Sequence, residues 1–213
     1  MGDGAKRRIR PGAERIRGLY GIADADASGG DPIRAGAAML AGGCRLIQLR
    51  CKSWSSDEVI RVGTELRRLT RDVGSLLIAN DDAEVALAID ADGLHLGQTD
   101  GPTADARRRL GDRLLGRSTN TPEQLRAALA EDADYLAFGP MYPTGNLSRP
   151  KALQGPALLA ALRAEVDRPL VAIGGITVAR LPEIRGTGAD AWAVIGAICA
   201  ADDPGAATRA LVG

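Results

Sequence analysis

A single-domain α/β fold, a (β/α)8 TIM barrel, is the class this sequence predicts. Short apolar runs alternate with helical patterns eight times, at a spacing of roughly 20–30 residues, with no linker or break in composition. The runs are apolar throughout, as parallel strands covered on both faces require. Unusual polar residues gather where each run hands over to the following loop, the end where such a barrel carries its chemistry. A doubly wound sheet is the main rival, but it usually shows fewer strands and leaves open edges.

The elements follow in order. Leu19-Tyr20-Gly21-Ile22-Ala23 is the first strand, with a helix over 31–41. Arg45 to Leu49 is the second, and a helix over 55–72 follows, with Val59, Val62, Leu66 and Leu69 at helical spacing. Ser55-Ser56-Asp57-Glu58 opens that helix with a cap and acids suited to its N-terminus. Leu76 to Ala79 is the third strand, then a helix over 82–89; Gly93 to Leu96 is the fourth, then a helix from Thr103. Leu114-Leu115-Gly116 is the fifth, and Thr121-Pro122-Glu123 starts a helix with Thr as cap and Pro in the first turn. Tyr135 to Phe138 is the sixth, with a helix over 156–165, and Leu170 to Ile173 the seventh, with a short helix over 177–184. Trp192 to Ile195 is the eighth, before a last helix to the C-terminus.

Composition excludes several classes. The 213 residues are 45% hydrophobic and 25% charged, ordinary for a globular chain with one large core. A formal net charge of zero gives no bulk attraction to nucleic acid or acidic membrane, and no apolar stretch is long enough to span a bilayer. Cys44, Cys51 and Cys199 show no metal spacing, and their odd, sparse count suits a reduced, cytoplasmic protein. Residues 1–17 hold Lys6, Arg7, Arg8, Arg10, Arg15 and Arg17 without an apolar segment. They read as a solvated basic tail ahead of a catalytic barrel over 18–213.

The second strand carries the strongest chemical signal. Gln48, Arg50 and Lys52 stand at alternate positions and point to one side. A guanidinium fork and an ammonium together suit a multiply charged anion. Asn80-Asp81-Asp82 ends strand three, and His95 to Asp100 ends strand four. Taken singly, the Asn-Asp pair reads as a turn or cap and His95 as a core group. On one rim, however, carboxylates facing an anion repel it unless a divalent cation lies between them. That makes Asp81 and Asp100 candidates for Mg²⁺, which takes one or two carboxylates plus phosphate oxygens. Gly175 and Gly196, after strands seven and eight, suit a second anion site where backbone N–H groups approach a phosphate. Two anion sites suggest two phosphorylated substrates.

Gln48-x-Arg50-x-Lys52, Asn80-Asp81, the stretch Ala91 to Asp100, Gly116-Arg117-Ser118, Phe138 to Thr144 and Ala172 to Ile176 together resemble the thiamine-phosphate synthase (thiamine-phosphate pyrophosphorylase) family, in order from about residue 18 to 200. The resemblance implies a transferase of thiamine biosynthesis. It would condense 4-amino-2-methyl-5-hydroxymethylpyrimidine diphosphate with 4-methyl-5-(2-phosphoethyl)thiazole, or its carboxy form. Diphosphate leaves first, and the thiazole nitrogen attacks the resulting methylene cation. It also implies that Gln48, Arg50, Lys52 and Asn80 hold the pyrimidine diphosphate, and that Asp81 and Asp100 ligate Mg²⁺. Ser118 would meet the pyrimidine or its leaving group. Thr144, Asn146, Gly175, Ile195 and Gly196 would surround the thiazole phosphate. A homo-oligomer is compatible with this reading. Three positions depart from the family pattern: Asn120 replaces a His, Leu147 a loop Lys, and Gly196 a Ser. Arg149 or Lys151 is expected to supply the missing charge. Two alternatives stay open, a thiazole tautomerase-like relative and a barrel that binds these phosphates without turnover.

Overall fold

The computed structural model describes residues 10–145 and 152–213. Eight parallel strands close into a barrel in chain order: β1 (Gly18–Asp24), β2 (Leu46–Arg50), β3 (Leu76–Asn80), β4 (Gly93–Leu96), β5 (Leu114–Thr119), β6 (Tyr135–Phe138), β7 (Leu170–Ile173) and β8 (Ala191–Val194). Register runs continuously round the ring, from Ile22 beside Gln48 to Leu19 beside Trp192. The doubly wound alternative is thereby excluded.

The helices lie where the hydrophobic spacing puts them. They are α1 (Pro32–Ala41), α2 (Ser56–Asp72), α3 (Ala83–Ala88), α4 (Thr103–Leu110), α5 (Pro122–Leu129) and α6 (Gly155–Arg163). Ser55 forms a capping box with Glu58, and Thr121 caps α5 ahead of Pro122. Two expectations are refined. The helix after β7 is a 3-10 turn over Val178–Arg180 running into α7 (Leu181–Gly186). The last helix is split into α8 (Gly196–Cys199) and α9 (Pro204–Val212), because Asp203 and Pro204 start a new helix: the Asp203 carboxylate accepts from the Ala206 N–H.

Two apolar layers result. Leu49, Leu66, Leu77, Leu94, Leu136 and Ile184 belong to the one between barrel and helices. Tyr20, Ile22, Leu46, Ile78, Tyr135, Val171 and Ala193 fill the barrel itself. Residues 10–17 do not form the solvated tail expected of them. Ala13 and Ile16 are buried in the barrel interior, and Arg10 pairs with Asp132 and Asp134. Apolar side chains at those two positions close the end of the barrel opposite the polar rim. Residues 1–9 lie outside the described residues.

One device recurs before every second strand from β4 onward and ties it to the strand preceding it. The dipeptide Ala-Asp precedes β4, β6 and β8, as Ala91-Asp92, Ala133-Asp134 and Ala189-Asp190. Each carboxylate accepts a backbone N–H from the preceding strand: Leu77 (2.8 Å), Leu115 (2.9 Å) and Leu170 (2.8 Å). Each also meets an arginine from an even-numbered helix: Arg67 of α2 (2.7 Å), Arg107 of α4 (2.6 Å) and Arg163 of α6 (3.3 Å). Strand start and covering helix are thus fixed by the same acid.

Candidate active site

The polar rim forms one pocket at the C-terminal ends of the strands. Gln48, Arg50, Lys52, Asn80, Asp81 and Ser118 all line it, with Tyr20 and His95 deeper in the barrel. β2 places its residues as alternation requires: Gln48 is buried, and Arg50 and Lys52 stand progressively nearer solvent. The Arg50 guanidinium is ion-paired with Asp24 at the end of β1, whose other oxygen accepts the Ala27 N–H at 2.8 Å. Asp24 therefore holds one side of the Arg50 fork, a role the sequence reading did not find. The Asp24–Arg50 neighbour relation exists only through the β1–β2 register.

The segment after β3 divides its labour. Asn80 ends the strand at the pocket, and Asp82 caps α3 by accepting from the Glu84 and Val85 N–H groups. Asp81 between them has φ 66°, in the left-handed region that a non-glycine residue rarely adopts. Such strain marks positions whose orientation matters. Asp81 lies 3.1 Å from the Lys52 ammonium and within hydrogen-bond reach of Asp100. Burial, then Asp100, pushes the Asp81 carboxyl up to about 6, against the pull of Lys52. Burial also acts to raise Asp100, but hydrogen bonds from Asp81 and from the Gly97 N–H (2.6 Å), with Lys52 nearby, hold it below the usual carboxylate range. Two carboxyls this close share a proton or a cation. The donor set, oxygen-only and doubly acidic beside an anion pocket, fits Mg²⁺. Among the described residues no cluster of three or more His, Cys, Asp or Glu is present.

A second pocket adjoins the first, sharing Ile173, Gly174, Ala193 and Ile195 with it. It gathers Thr144, Gly175, Ile195 and Gly196, four of the five residues expected around the second anion. Gly174 and Gly175 have φ 103° and 65°. A Cβ on Gly175 would stand 2.5 Å from the Pro143 carbonyl oxygen, so only glycine lets the two loops pack this closely. Asn146, Leu147, Arg149 and Lys151 lie outside the described residues. Arg180 lines this pocket too, and sequence reasoning missed it. Its guanidinium donates to the Gly175 carbonyl at 2.6 Å and lies 4.5 Å from the centre of the Tyr142 ring. Tyr142 in turn donates to Glu183 of α7 at 2.6 Å. A cation in a helical stretch beyond a glycine turn gives no sequence signal until the turn is folded.

His95 is neither a plain core group nor solvent-facing. Buried at the pocket floor, it lies between the Tyr135 and Ser118 hydroxyls, and burial pushes it down to about 4. Tyr20 is buried, with its hydroxyl bonded to Gln48 and Tyr135. Trp192 is buried, and its indole N–H donates to the Leu211 carbonyl at 3.1 Å. No helix among the described residues is long and apolar enough to cross a membrane.

Comparisons with known proteins agree in one direction. The family described as thiamine monophosphate synthase matches residues 19–198. The chain is 43% identical over 204 residues to a thiamine-phosphate synthase of Mycolicibacterium vanbaalenii, covering 92% of each. It is 44% identical over 194 residues to one of Chloroflexus aurantiacus, covering 91% of this chain and 90% of that one. The solved thiamine phosphate pyrophosphorylase from Pyrococcus furiosus superposes with a TM-score of 0.86 at 34% identity, over 93% of this chain and 95% of the other.

Proposed function

The chain belongs to the thiamine monophosphate synthase family, and from that premise we infer that it is a transferase joining a pyrimidine diphosphate to a thiazole phosphate, giving thiamine phosphate and diphosphate. The observation that carries the reading is the convergence of Gln48, Arg50, Lys52, Asn80, Asp81 and Ser118 on one pocket that opens into a second beside Gly175 and Gly196. Two joined pockets suit two substrates whose reacting atoms must meet.

The bond that breaks joins the pyrimidine methylene carbon to the diphosphate oxygen, and its electron pair leaves with the diphosphate. Arg50 and Lys52 stabilise the charge that develops on that leaving group. Asp81 and Asp100 would hold Mg²⁺ against it, which when bound offsets further negative charge. The aminopyrimidine ring shares the positive charge left on the carbon, and Gln48, Asn80 and Ser118 keep that ring in place. The thiazole nitrogen then forms the new C–N bond, so the second pocket acts by orientation alone. No covalent nucleophile is required.

Thr144, Gly175, Ile195 and Gly196 are proposed to surround the thiazole phosphate; Asn146, expected with them, lies outside the described residues. Lys151 or Arg149 was the expected substitute for the family lysine absent at Leu147. Arg180 is a further cation at this pocket, already held by Gly175 and Tyr142. Arg180→Gln is expected to raise KM for the thiazole phosphate about tenfold and leave KM for the pyrimidine diphosphate within twofold, the loss of roughly one charged hydrogen bond. Equal effects on both KM values would remove Arg180 from the phosphate site.

The reading is tested by calorimetric titration of each substrate alone. Pyrimidine diphosphate is expected to bind only with Mg²⁺ present and to lose that dependence, with at least tenfold weaker binding, in Asp81→Asn. Thiazole phosphate is expected to bind in both proteins. Metal-independent binding of the diphosphate, equally tight in the variant, would overturn the metal assignment; failure of both ligands to bind the folded protein would overturn the reading.

A further inference from the structure

Five side chains from five strands form one unbroken hydrogen-bonded line across the barrel beneath the first pocket. Gln48 Nε2 of β2 donates to Tyr20 Oη of β1 at 2.8 Å. The Tyr20 and Tyr135 hydroxyls lie 2.9 Å apart, bridging β1 to β6. Tyr135 Oη is 3.1 Å from His95 Nδ1 of β4, and His95 Nε2 is 2.8 Å from Ser118 Oγ of β5. The line does not close on itself. Its two ends, Gln48 and Ser118, both line the pocket.

The direction of the line follows from counting protons. A tyrosine hydroxyl has one proton to give. Tyr20 accepts from Gln48, so its proton goes to Tyr135; were Tyr135 to donate instead, the buried Tyr20 proton would lose this partner, at the cost of an unmade bond. Tyr135 therefore gives its own proton to His95 Nδ1. His95 is buried and bonded only to hydroxyls on its ring nitrogens, a setting in which an imidazolium is costly. Lys52 and Arg117 nearby oppose a positive charge there, while Asp100 alone favours it. The neutral ring with Nδ1 bare carries its proton on Nε2 and donates to Ser118 Oγ. Ser118 is left with its proton for the pocket, and Gln48, with one of its two amide N–H groups committed to Tyr20, has its carbonyl oxygen as the acceptor it can offer.

We propose that Tyr135 and His95 are positioning residues that set this polarity, making Ser118 a donor and Gln48 an acceptor on the pocket floor. The proposal rests on the pyrimidine reading of the pocket. An aminopyrimidine carries an amino donor beside a ring-nitrogen acceptor, so a floor with one acceptor and one donor takes it in one orientation. Gly116 makes room for the line. A Cβ there would stand 2.1 Å from Tyr135 Cζ and 2.5 Å from His95 Nδ1. The two rings are stacked with centroids 5.5 Å apart, which holds the Nδ1–Oη pair in register.

His95 is the single histidine of the chain, so its ring nitrogens are directly assignable. In protein labelled with ¹⁵N-histidine at neutral pH, long-range ¹H–¹⁵N correlation is expected to show Nδ1 bare and Nε2 protonated. The opposite tautomer or an imidazolium overturns the proposal, whatever the enzyme turns over. That separates its failure from failure of the functional reading. Tyr135→Phe keeps the ring and removes the donor. It is expected to populate the Nδ1–H tautomer and to lower kcat/KM for the pyrimidine diphosphate about tenfold, while KM for the thiazole phosphate stays within twofold. In a Ser118→Ala background the same change is expected to cost less than twofold, because the line acts through Ser118. Additive losses, or an unchanged kcat/KM in Tyr135→Phe, overturn the positioning role.

Discussion

Replacing Arg50 by Lys is expected to lower kcat/KM by about a hundredfold, the scale of removing one preorganised donor from a developing oxyanion. The shape of the side chain sets the size of this loss. Arg50 is bound on one side by Asp24, and the remaining N–H groups of its planar fork face the pocket. Lysine keeps the charge beside Asp24 but offers a point donor in place of a fork. Arg50→Met is expected to lose more, about a thousandfold in kcat/KM, and also stability. The Asp24 side chain is only 5% exposed, and without its partner it becomes a buried unpaired carboxylate. The pair of variants separates chemistry from folding. If Arg50→Lys retains full kcat/KM with diphosphate release intact, Arg50 does not serve the leaving group.

The largest stability effect is expected at Asp134. Its side chain is fully buried between Arg10 and Arg107, and it accepts the Leu115 N–H. Asp134→Ala strands a strand amide and removes the fully buried carboxylate that Arg10 and Arg107 share, leaving both guanidinium groups the half-exposed Asp132 as their common ionic partner, so a loss of about 3–5 kcal/mol is expected, or roughly 10 °C in Tm for a chain of this size. The equivalent acids rank by burial. Asp92 and Asp190 are 26% and 35% exposed, so water takes over part of their role. Denaturant midpoints should therefore fall furthest for the Asp134 variant, less for Asp92→Ala and least for Asp190→Ala. Equal losses at all three would mean that strand amide capping alone, rather than the buried arginine pairing, carries the stabilisation.

Much of this molecule was legible in its sequence, for physical reasons that differ by element. Strand and helix order could be read because a buried parallel strand must be apolar throughout and a covering helix must be apolar on one face. The caps at Ser55 and Thr121 were legible because capping is local. Gln48, Arg50 and Lys52 were legible because alternation along one strand fixes their side. The Asp24–Arg50 pair, the Arg180 clasp and the Asp–Arg ties between alternate units were not. Each joins residues that neighbour one another only after the barrel has closed. The basic stretch before β1 misled for the opposite reason. Its charges outnumber Ala13 and Ile16, yet those two apolar side chains are the ones that enter the core. His95 was read as a core group. It is buried, but the partners that make it more than packing come from β5 and β6, beyond any local pattern.

The central claim is that two joined pockets on this rim bring a pyrimidine diphosphate and a thiazole phosphate together. A two-substrate assay tests it most directly. Purified protein is mixed with both compounds, with and without Mg²⁺, and thiamine phosphate and diphosphate are followed together. The account predicts equal amounts of the two products, formed only when both substrates and the divalent ion are present. Folded protein that binds both compounds with Mg²⁺ and forms no thiamine phosphate would contradict it.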